Sequence, residues 1–181
     1  MVRKNGEWTI RKTEKIFSND FFEVFKDEVV QPDGKDGSYA VVKFRAGVAL
    51  LAVDEEENIY LTKQFRYAVG REDLEVAAGV VENEDHLEAA KREAVEELGI
   101  NAEEWTDFGT IEENTSITKS VNKIYLAQKL SFTKPKPEGT EKIEVVKMTL
   151  KEALDKIMRN EITHDLTCLL IMKTSLYLKE N

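Results

Sequence analysis

The chain has 181 residues and is predicted to fold as an α+β protein, mostly antiparallel or mixed sheet with few helices around it. Three observations predict this. Short runs rich in Val, Ile, Phe and Tyr recur along most of the chain, separated by polar turn sequences. One of them, Gly-Val-Ala-Leu-Leu-Ala-Val at 47–53, is apolar throughout, as a strand buried on both faces would be. Only three stretches carry the apolar period of a helix, at 84–98, 150–159 and 162–179.

The elements follow in order. Residues 7–45 predict three strands: a loosely alternating run at 7–16, a Phe- and Val-rich run at 21–30, and a β-branched and aromatic run at 38–45. Turn chemistry at 31–37, Gln-Pro-Asp-Gly-Lys-Asp-Gly, separates the last two. The strand at 47–53 and a return strand at 59–66 flank the polar turn 54–58, which predicts a hairpin. A short strand at 74–81 leads into a loop. The helix 84–98 is stopped by Gly99 in the left-handed C-cap role. Strands at 105–112 and 122–130 enclose the polar loop 113–121. Residues 131–141 hold two of the three prolines and read as a surface loop, followed by a strand at 142–148 and the last two helices. A boundary near residue 45 divides the chain into an N-terminal β extension, 1–45, and a main domain, 46–181.

Composition excludes several classes. Hydrophobic residues at 41% and charged residues at 34% argue against wholesale disorder. With 35 acids against 26 bases the net charge is −9, which disfavours a protein whose work is gripping nucleic acid or an anionic membrane. No stretch approaches the roughly 18 apolar residues of a membrane helix, and the first 15 residues have no signal-peptide core. The single cysteine, Cys168, rules out an internal disulfide and lies in an apolar helical pattern, where a buried inert thiol is expected. A cytoplasmic location is the expectation that follows.

The acidic surplus is concentrated. Residues 82–97 hold seven acids and two bases, more than half of the net charge. At 100° per residue, Glu93, Glu96 and Glu97 fall within an arc of about 100°, beside an apolar stripe of Leu87, Ala90, Ala94 and Leu98. Three carboxylates on one turn repel each other, and Arg92 one turn before Glu96 relieves part of that. A hard divalent cation would offset the rest, because Mg²⁺ takes carboxylate oxygens and keeps waters or substrate phosphates in its other positions.

The order Glu84, seven residues, then Arg92-Glu93-Ala94-Val95-Glu96-Glu97-Leu98-Gly99-Ile100 resembles the Nudix box. Every specified position from Glu84 to Ile100 is met. The front departs: the box glycine falls at Ala78, whereas the glycine here is Gly79. Either the loop 80–83 is one residue short, or Asp85 takes the acidic position with a gap after it. Further similarity runs to the ADP-ribose pyrophosphatase branch. Glu75-Val-Ala-Ala-Gly79 is similar to its Glu-Leu-Pro-Ala-Gly segment, and Gln64-Phe-Arg66 to its Gln-Tyr/Phe-Arg strand end. The late strand and the following Leu150-Lys-Glu-Ala-Leu154 are also similar.

The resemblance implies a Nudix-type mixed β-sheet between helices, an α/β/α sandwich, with the N-terminal β extension pairing two copies in a homodimer. It implies hydrolysis of the diphosphate bond in a nucleoside diphosphate derivative, ADP-ribose or a nucleotide sugar, with Mg²⁺ or Mn²⁺. The products are a nucleoside monophosphate and a sugar phosphate. Glu93 and Glu97 become the primary metal ligands, Glu96 a further ligand or a holder of metal-bound water, and Ala78 a carbonyl ligand. Arg92 orients the glutamates and Glu84 sits at the helix start. Gly79 lies beside the phosphates. Arg66 is a candidate phosphate clamp, and Glu75 is open to contact with metal-linked water or to pairing with an arginine. The branch's loop sequence Ser-Pro-Gly-Phe-Ser-Asp-Glu is replaced by Asn114-Thr-Ser-Ile-Thr-Lys-Ser120, which supplies no carboxylate. Glu112, Glu113 and Glu141 are the substitute candidates for the base, on proximity in sequence. Trp8, Phe21 and Phe22 are open to base stacking or to packing. His86 is expected as an exposed first-turn residue, His164 as a capping or packing residue. A binding module without catalysis and a housecleaning nucleoside triphosphate hydrolase are the competing functions.

Overall fold

The computed structural model describes residues 2–136 and 142–180. They form two compact units, Met1–Ala46 with Ile111–Asn122, and Gly47–Thr110 with Lys123–Asn181. The first unit therefore takes in the segment 111–122, far along the chain from its other strands.

The first unit is a five-stranded sheet. Its strands are β1 (Arg3–Asn5), β2 (Trp8–Ser18), β3 (Phe22–Val30), β4 (Asp36–Phe44) and, later in the chain, β10 (Thr118–Lys119), in the order β1-β2-β3-β4-β10. β1 to β4 pair antiparallel, with Phe25 opposite Val41 and Asp27 opposite Tyr39. β10 joins β4 in parallel, Thr118 opposite Val42. The turn chemistry at 31–37 closes the β3–β4 hairpin, where Gly34 has φ of 86°. Aromatic side chains pack along this sheet: Trp8 meets Tyr39 edge-on at 5.6 Å, and Phe22 lies 5.5 Å from Phe17 and 5.7 Å from Phe44.

The second unit carries the larger sheet. Its strands are β5 (Gly47–Val53), β6 (Asn58–Arg66), β7 (Arg71–Glu75), β8 (Ala77–Val80), β9 (Ile100–Ile111), β11 (Asn122–Phe132) and β12 (Glu144–Thr149). The order is β12-β6-β5-β11-β9, with β7 beside β6 and β8 beside β5. The run 47–53 is buried at every residue, as the apolar sequence requires. The expected strand at 74–81 is two strands, because Val76 leaves β6 and the chain crosses to pair Ala78 with Ala49 of β5. β9 begins five residues earlier than the sequence pattern indicates, since exposed Glu103 and Glu104 hide its alternation.

Three helices flank this sheet: α1 (His86–Glu93), α2 (Leu150–Met158) and α3 (Asp165–Glu180). None of the described helices is long and apolar enough to cross a membrane. α2 starts with a capping box, in which the Thr149 hydroxyl accepts from Glu152 N and the Glu152 carboxylate accepts from Thr149 N. α1 and the turn that follows it pack through alanine: Ala89, Ala90 and Ala94 are fully buried against Val48, Leu50 and Ala77. Small side chains on this face let the helix backbone approach the sheet closely. Its N-cap is Asp85, whose carboxylate accepts from the Leu87 and Glu88 amides at 2.9 and 3.0 Å. Glu84 therefore lies before the helix, and the first-turn cap is one residue later than the box pattern places it.

The fold also holds one charged network at the β5–β6 turn. Burial opposes the charge on Asp54, but hydrogen bonds from Lys147, Asn58 and Tyr60 outweigh it and hold the carboxyl well below the usual carboxylate range. Lys147 reaches it at 2.8 Å, and the Tyr60 hydroxyl donates to it at 3.0 Å. This network ties β12 to the turn on which β6 begins.

Candidate functional site

The acidic helix does not remain α-helical to its end. Residues Ala94–Leu98 form a π-helical turn, capped by Gly99 at φ 66°, ψ 35° with its amide directed to the Ala94 and Val95 carbonyls. Gly99 is thus the left-handed stop that the sequence predicts. The wider turn changes the angular spacing that a strict 100° per residue assigns to Glu96 and Glu97. Such π-turns recur at functional sites.

Glu93 and Glu97 are buried at 8% and 6% exposure. Buried carboxylates demand positive charge or hydrogen-bond donors. Arg92 supplies the charge. Its guanidinium lies 2.7 Å from Glu93 Oε1, 2.8 Å from Glu96 Oε2 and 2.9 Å from Glu84 Oε1, and it donates to the Val80 carbonyl at 3.1 Å. Burial works against this cation, but its bonds to Glu84, Glu96 and Glu93 offset that and raise its affinity for its proton. The Glu97 carboxylate turns to strand β8 and accepts from the Ala78 amide at 3.1 Å.

The strand facing the helix is shaped for these groups. A Cβ on Gly79 would overlap the Glu93 carboxylate, so only glycine lets that side chain lie against β8. Ala78 and Gly79 therefore meet Glu97 and Glu93 respectively. The structure brings Ala78, Gly79, Glu84, Arg92, Glu93, Glu96 and Glu97 into one neighbourhood.

Among the described residues, no three His, Cys, Asp or Glu side chains converge as a metal cage. The donor chemistry nevertheless fits a hard divalent cation. The side-chain donors are all carboxylate oxygens, and the cluster already gathers around a cation, the Arg92 guanidinium, which also binds the Val80 carbonyl. Glu93 and Glu96 would turn from Arg92 toward such an ion.

Arg66 and Glu75 form a second arrangement. Arg66 Nε and Nη2 donate to the two Glu75 oxygens at 2.8 and 2.5 Å, a bidentate pair. Of the two roles open to Glu75, the structure has it paired with arginine. Glu75 is 4% exposed, whereas the Arg66 side chain is 41% exposed. Glu112 and Glu113 belong to the first unit, where Glu113 Oε1 accepts from Asn122 at 2.9 Å. Glu141 lies outside the described residues.

Sequence reasoning missed three contributors: Asp85 as the cap, the Val80 carbonyl on Arg92, and Thr167. The buried Thr167 hydroxyl accepts from the Val76 amide at 2.9 Å across 91 residues of sequence. No local pattern marks such a contact. His86 opens α1 half-buried. Cys168 is half-buried rather than buried; its thiol lies 3.5 Å from the Ile162 carbonyl, and desolvation together with the Asp165 charge pushes its pKa up.

Known proteins bear on this site. A NUDIX domain model matches residues 43–166, and a nucleoside diphosphate sugar hydrolase N-terminal domain model matches residues 8–42. The chain is 33% identical over 159 residues to the ADP-ribose pyrophosphatase of Bacillus subtilis (strain 168), covering 86% of this chain and 85% of that one. It is 28% identical over 155 residues to the methanol dehydrogenase activator of Bacillus methanolicus, covering 83% of each. A crystal structure of an ADP compounds hydrolase superposes with a TM-score of 0.84 at 19% identity, over 98% of this chain and 97% of the other, which establishes a shared fold. With the NUDIX model spanning well over half of the sequence, the chain belongs to the Nudix family of hydrolases.

Proposed function

We propose that the protein hydrolyses the diphosphate bond of ADP-ribose, or of a closely related nucleotide sugar, in a reaction that depends on Mg²⁺ or Mn²⁺. The observation that carries this reading is the set Glu93, Glu96 and Glu97, gathered with Arg92 against Ala78 and Gly79. The named ADP-ribose pyrophosphatase among its relatives and the nucleoside diphosphate sugar hydrolase N-terminal match support the substrate class.

Glu93 and Glu97 would hold the metal, with Glu96 as a further ligand or holder of bound water and the Ala78 carbonyl completing the protein's share. A metal held there would supply neutralisation of phosphate oxygens and a lowered pKa for water. Arg92 fixes the carboxylates, and Glu84 fixes Arg92. Arg66 would bind a phosphate oxygen of the substrate, with Glu75 setting its direction. Water adds to one phosphorus and the bridging oxygen leaves with the other. The products are a nucleoside monophosphate and a sugar phosphate. Glu112, Glu113 and Glu141 are the candidates for the base that takes the water's proton.

The N-terminal unit is assigned to pairing with a second copy. Phe17, Phe21 and Phe44 are 51%, 67% and 41% exposed on it, an apolar surface of the kind that marks an interface. Light scattering should therefore give twice the chain mass. A monomer at micromolar concentration would remove this assignment.

The test of the function is a panel of ADP-ribose, ADP-glucose, GDP-mannose, UDP-sugars and nucleoside triphosphates, with Mg²⁺ or Mn²⁺ and product identification. AMP and ribose phosphate from ADP-ribose at the highest kcat/KM is the expected result. Ligand-induced stabilisation without any product would favour a binding module instead.

A further inference from the structure

His164 has no role in the proposed hydrolysis, and its sequence position marks it as a capping or packing residue. Its backbone does cap: the His164 carbonyl accepts from the Cys168 amide at 2.9 Å in the first turn of α3. The ring, however, is turned to the substrate-clamp pair. Its Nδ1 lies 3.8 Å from Glu75 Oε2 and 2.8 Å from the Thr167 hydroxyl. Glu75 is the buried carboxylate that grips Arg66 with both oxygens.

The hydrogen-bond directions are constrained. The Val76 amide donates to Thr167 Oγ1, so the Thr167 hydroxyl hydrogen is available to Nδ1 when the ring is neutral. Neutral His164 then carries its proton on Nε2, which faces Asp165 Oδ1 at 3.7 Å. Protonation places an N–H and a positive charge on the Nδ1 side, next to Glu75. The charged groups around the ring are Glu75 and Arg66 from the β6–β7 pair, Asp165 on its own helix, and Arg71, which donates to neighbouring Thr163 at 2.8 Å and pairs with Asp73 at 3.2 Å.

We infer that His164 is a positioning residue for Arg66, acting through Glu75 and Thr167, and that it makes substrate binding proton-linked. With His164 neutral, Arg66 balances Glu75, and the carboxylate holds the guanidinium in the bidentate pose. With His164 protonated, two cations share one carboxylate. Arg66 is then held less tightly and the local potential is more positive, so an anionic diphosphate competes better for the guanidinium. The inference rests on Arg66 being a substrate contact, as proposed above.

The experiment measures KM and kcat for ADP-ribose between pH 5.5 and 8.5 in the wild type, His164→Asn, His164→Ala and Arg66→Gln. Asparagine keeps a polar atom near the Nδ1 position but does not titrate. His164→Asn should match the wild-type KM at pH 8.5 and exceed it about threefold or more at pH 5.5, with kcat within about twofold throughout. His164→Ala should raise KM about threefold or more at both ends, and Arg66→Gln should raise it at every pH. A KM ratio of His164→Asn to wild type that is flat across pH overturns the inference. If the His164 ratio is flat while Arg66→Gln raises KM, only this inference fails. If Arg66→Gln leaves KM unchanged, the clamp reading itself fails.

Discussion

Replacing Glu97 by Gln should abolish turnover while the protein stays folded. Glutamine keeps an oxygen and the length of the side chain, so the contact with the Ala78 amide survives through its carbonyl. What is lost is one negative charge from a buried position at the end of the acidic helix. A cation that binds Glu93 and Glu97 together would lose the charge of one principal ligand. The expected fall in kcat is on the order of 10³-fold, or about 4 kcal/mol of transition-state stabilisation. Thermal unfolding of Glu97→Gln without metal should match or exceed the wild type, since carboxylate repulsion is relieved. A folded variant with wild-type kcat would remove Glu97 from the machinery.

Gly79→Ala should be the next most damaging single change at the site. The added methyl would occupy the space of the Glu93 carboxylate, which Arg92 holds at 2.7 Å. Glu93 must then rotate away, or β8 must shift from the helix. Displacements of about 1 Å in catalytic groups cost on the order of 100-fold in rate, so kcat/KM should drop by about that factor. The stability loss should stay within about 1–3 kcal/mol, the usual range for overpacking. Circular dichroism and steady-state assays on the same preparation separate the two effects. Near-wild-type kcat/KM in Gly79→Ala would mean that Glu93 does not need to lie against this strand.

The two changes also explain why so much of the site was readable in one dimension. Glu93, Glu96 and Glu97 sit within one turn of helix, Arg92 precedes them directly, and Gly99 ends the turn with a left-handed residue. All of this is local spacing, and local spacing survives in sequence. The buried strand 47–53 was legible for a similar reason, because a strand covered on both faces leaves no polar position.

What sequence hides is contact between distant segments. Thr118 and Lys119 join the N-terminal sheet as a parallel edge strand only because the chain returns there after β9, and two residues carry no periodicity. Thr167 reaches back to Val76, and His164 to Glu75, across about ninety positions. The π-turn was equally invisible, since its residues obey the helical pattern until one turn widens. The Asp85 cap was in plain view but ambiguous, because Glu84 and Asp85 are adjacent acids and only geometry separates the cap from the partner of Arg92. For β10, Thr167 and His164 a tertiary contact decided what the local sequence left open.

The acidic surplus of 82–97 ties these points together. As a bare sequence it reads as solubility and as exclusion of anionic partners. In the folded unit, its two deepest carboxylates are buried beside a strand with a glycine cut away to receive one of them. Placing that much buried negative charge is costly unless a cation answers it, and Arg92 answers part of it.

Mn²⁺ titration of the 181-residue protein, followed by the loss of the free-ion electron paramagnetic resonance signal, tests this most directly. The wild type should bind Mn²⁺ saturably, Mg²⁺ should compete for the same site, and Glu97→Gln should weaken the affinity at least about tenfold. Equal Mn²⁺ affinity in the wild type and Glu97→Gln, or no saturable binding in either, would contradict the account.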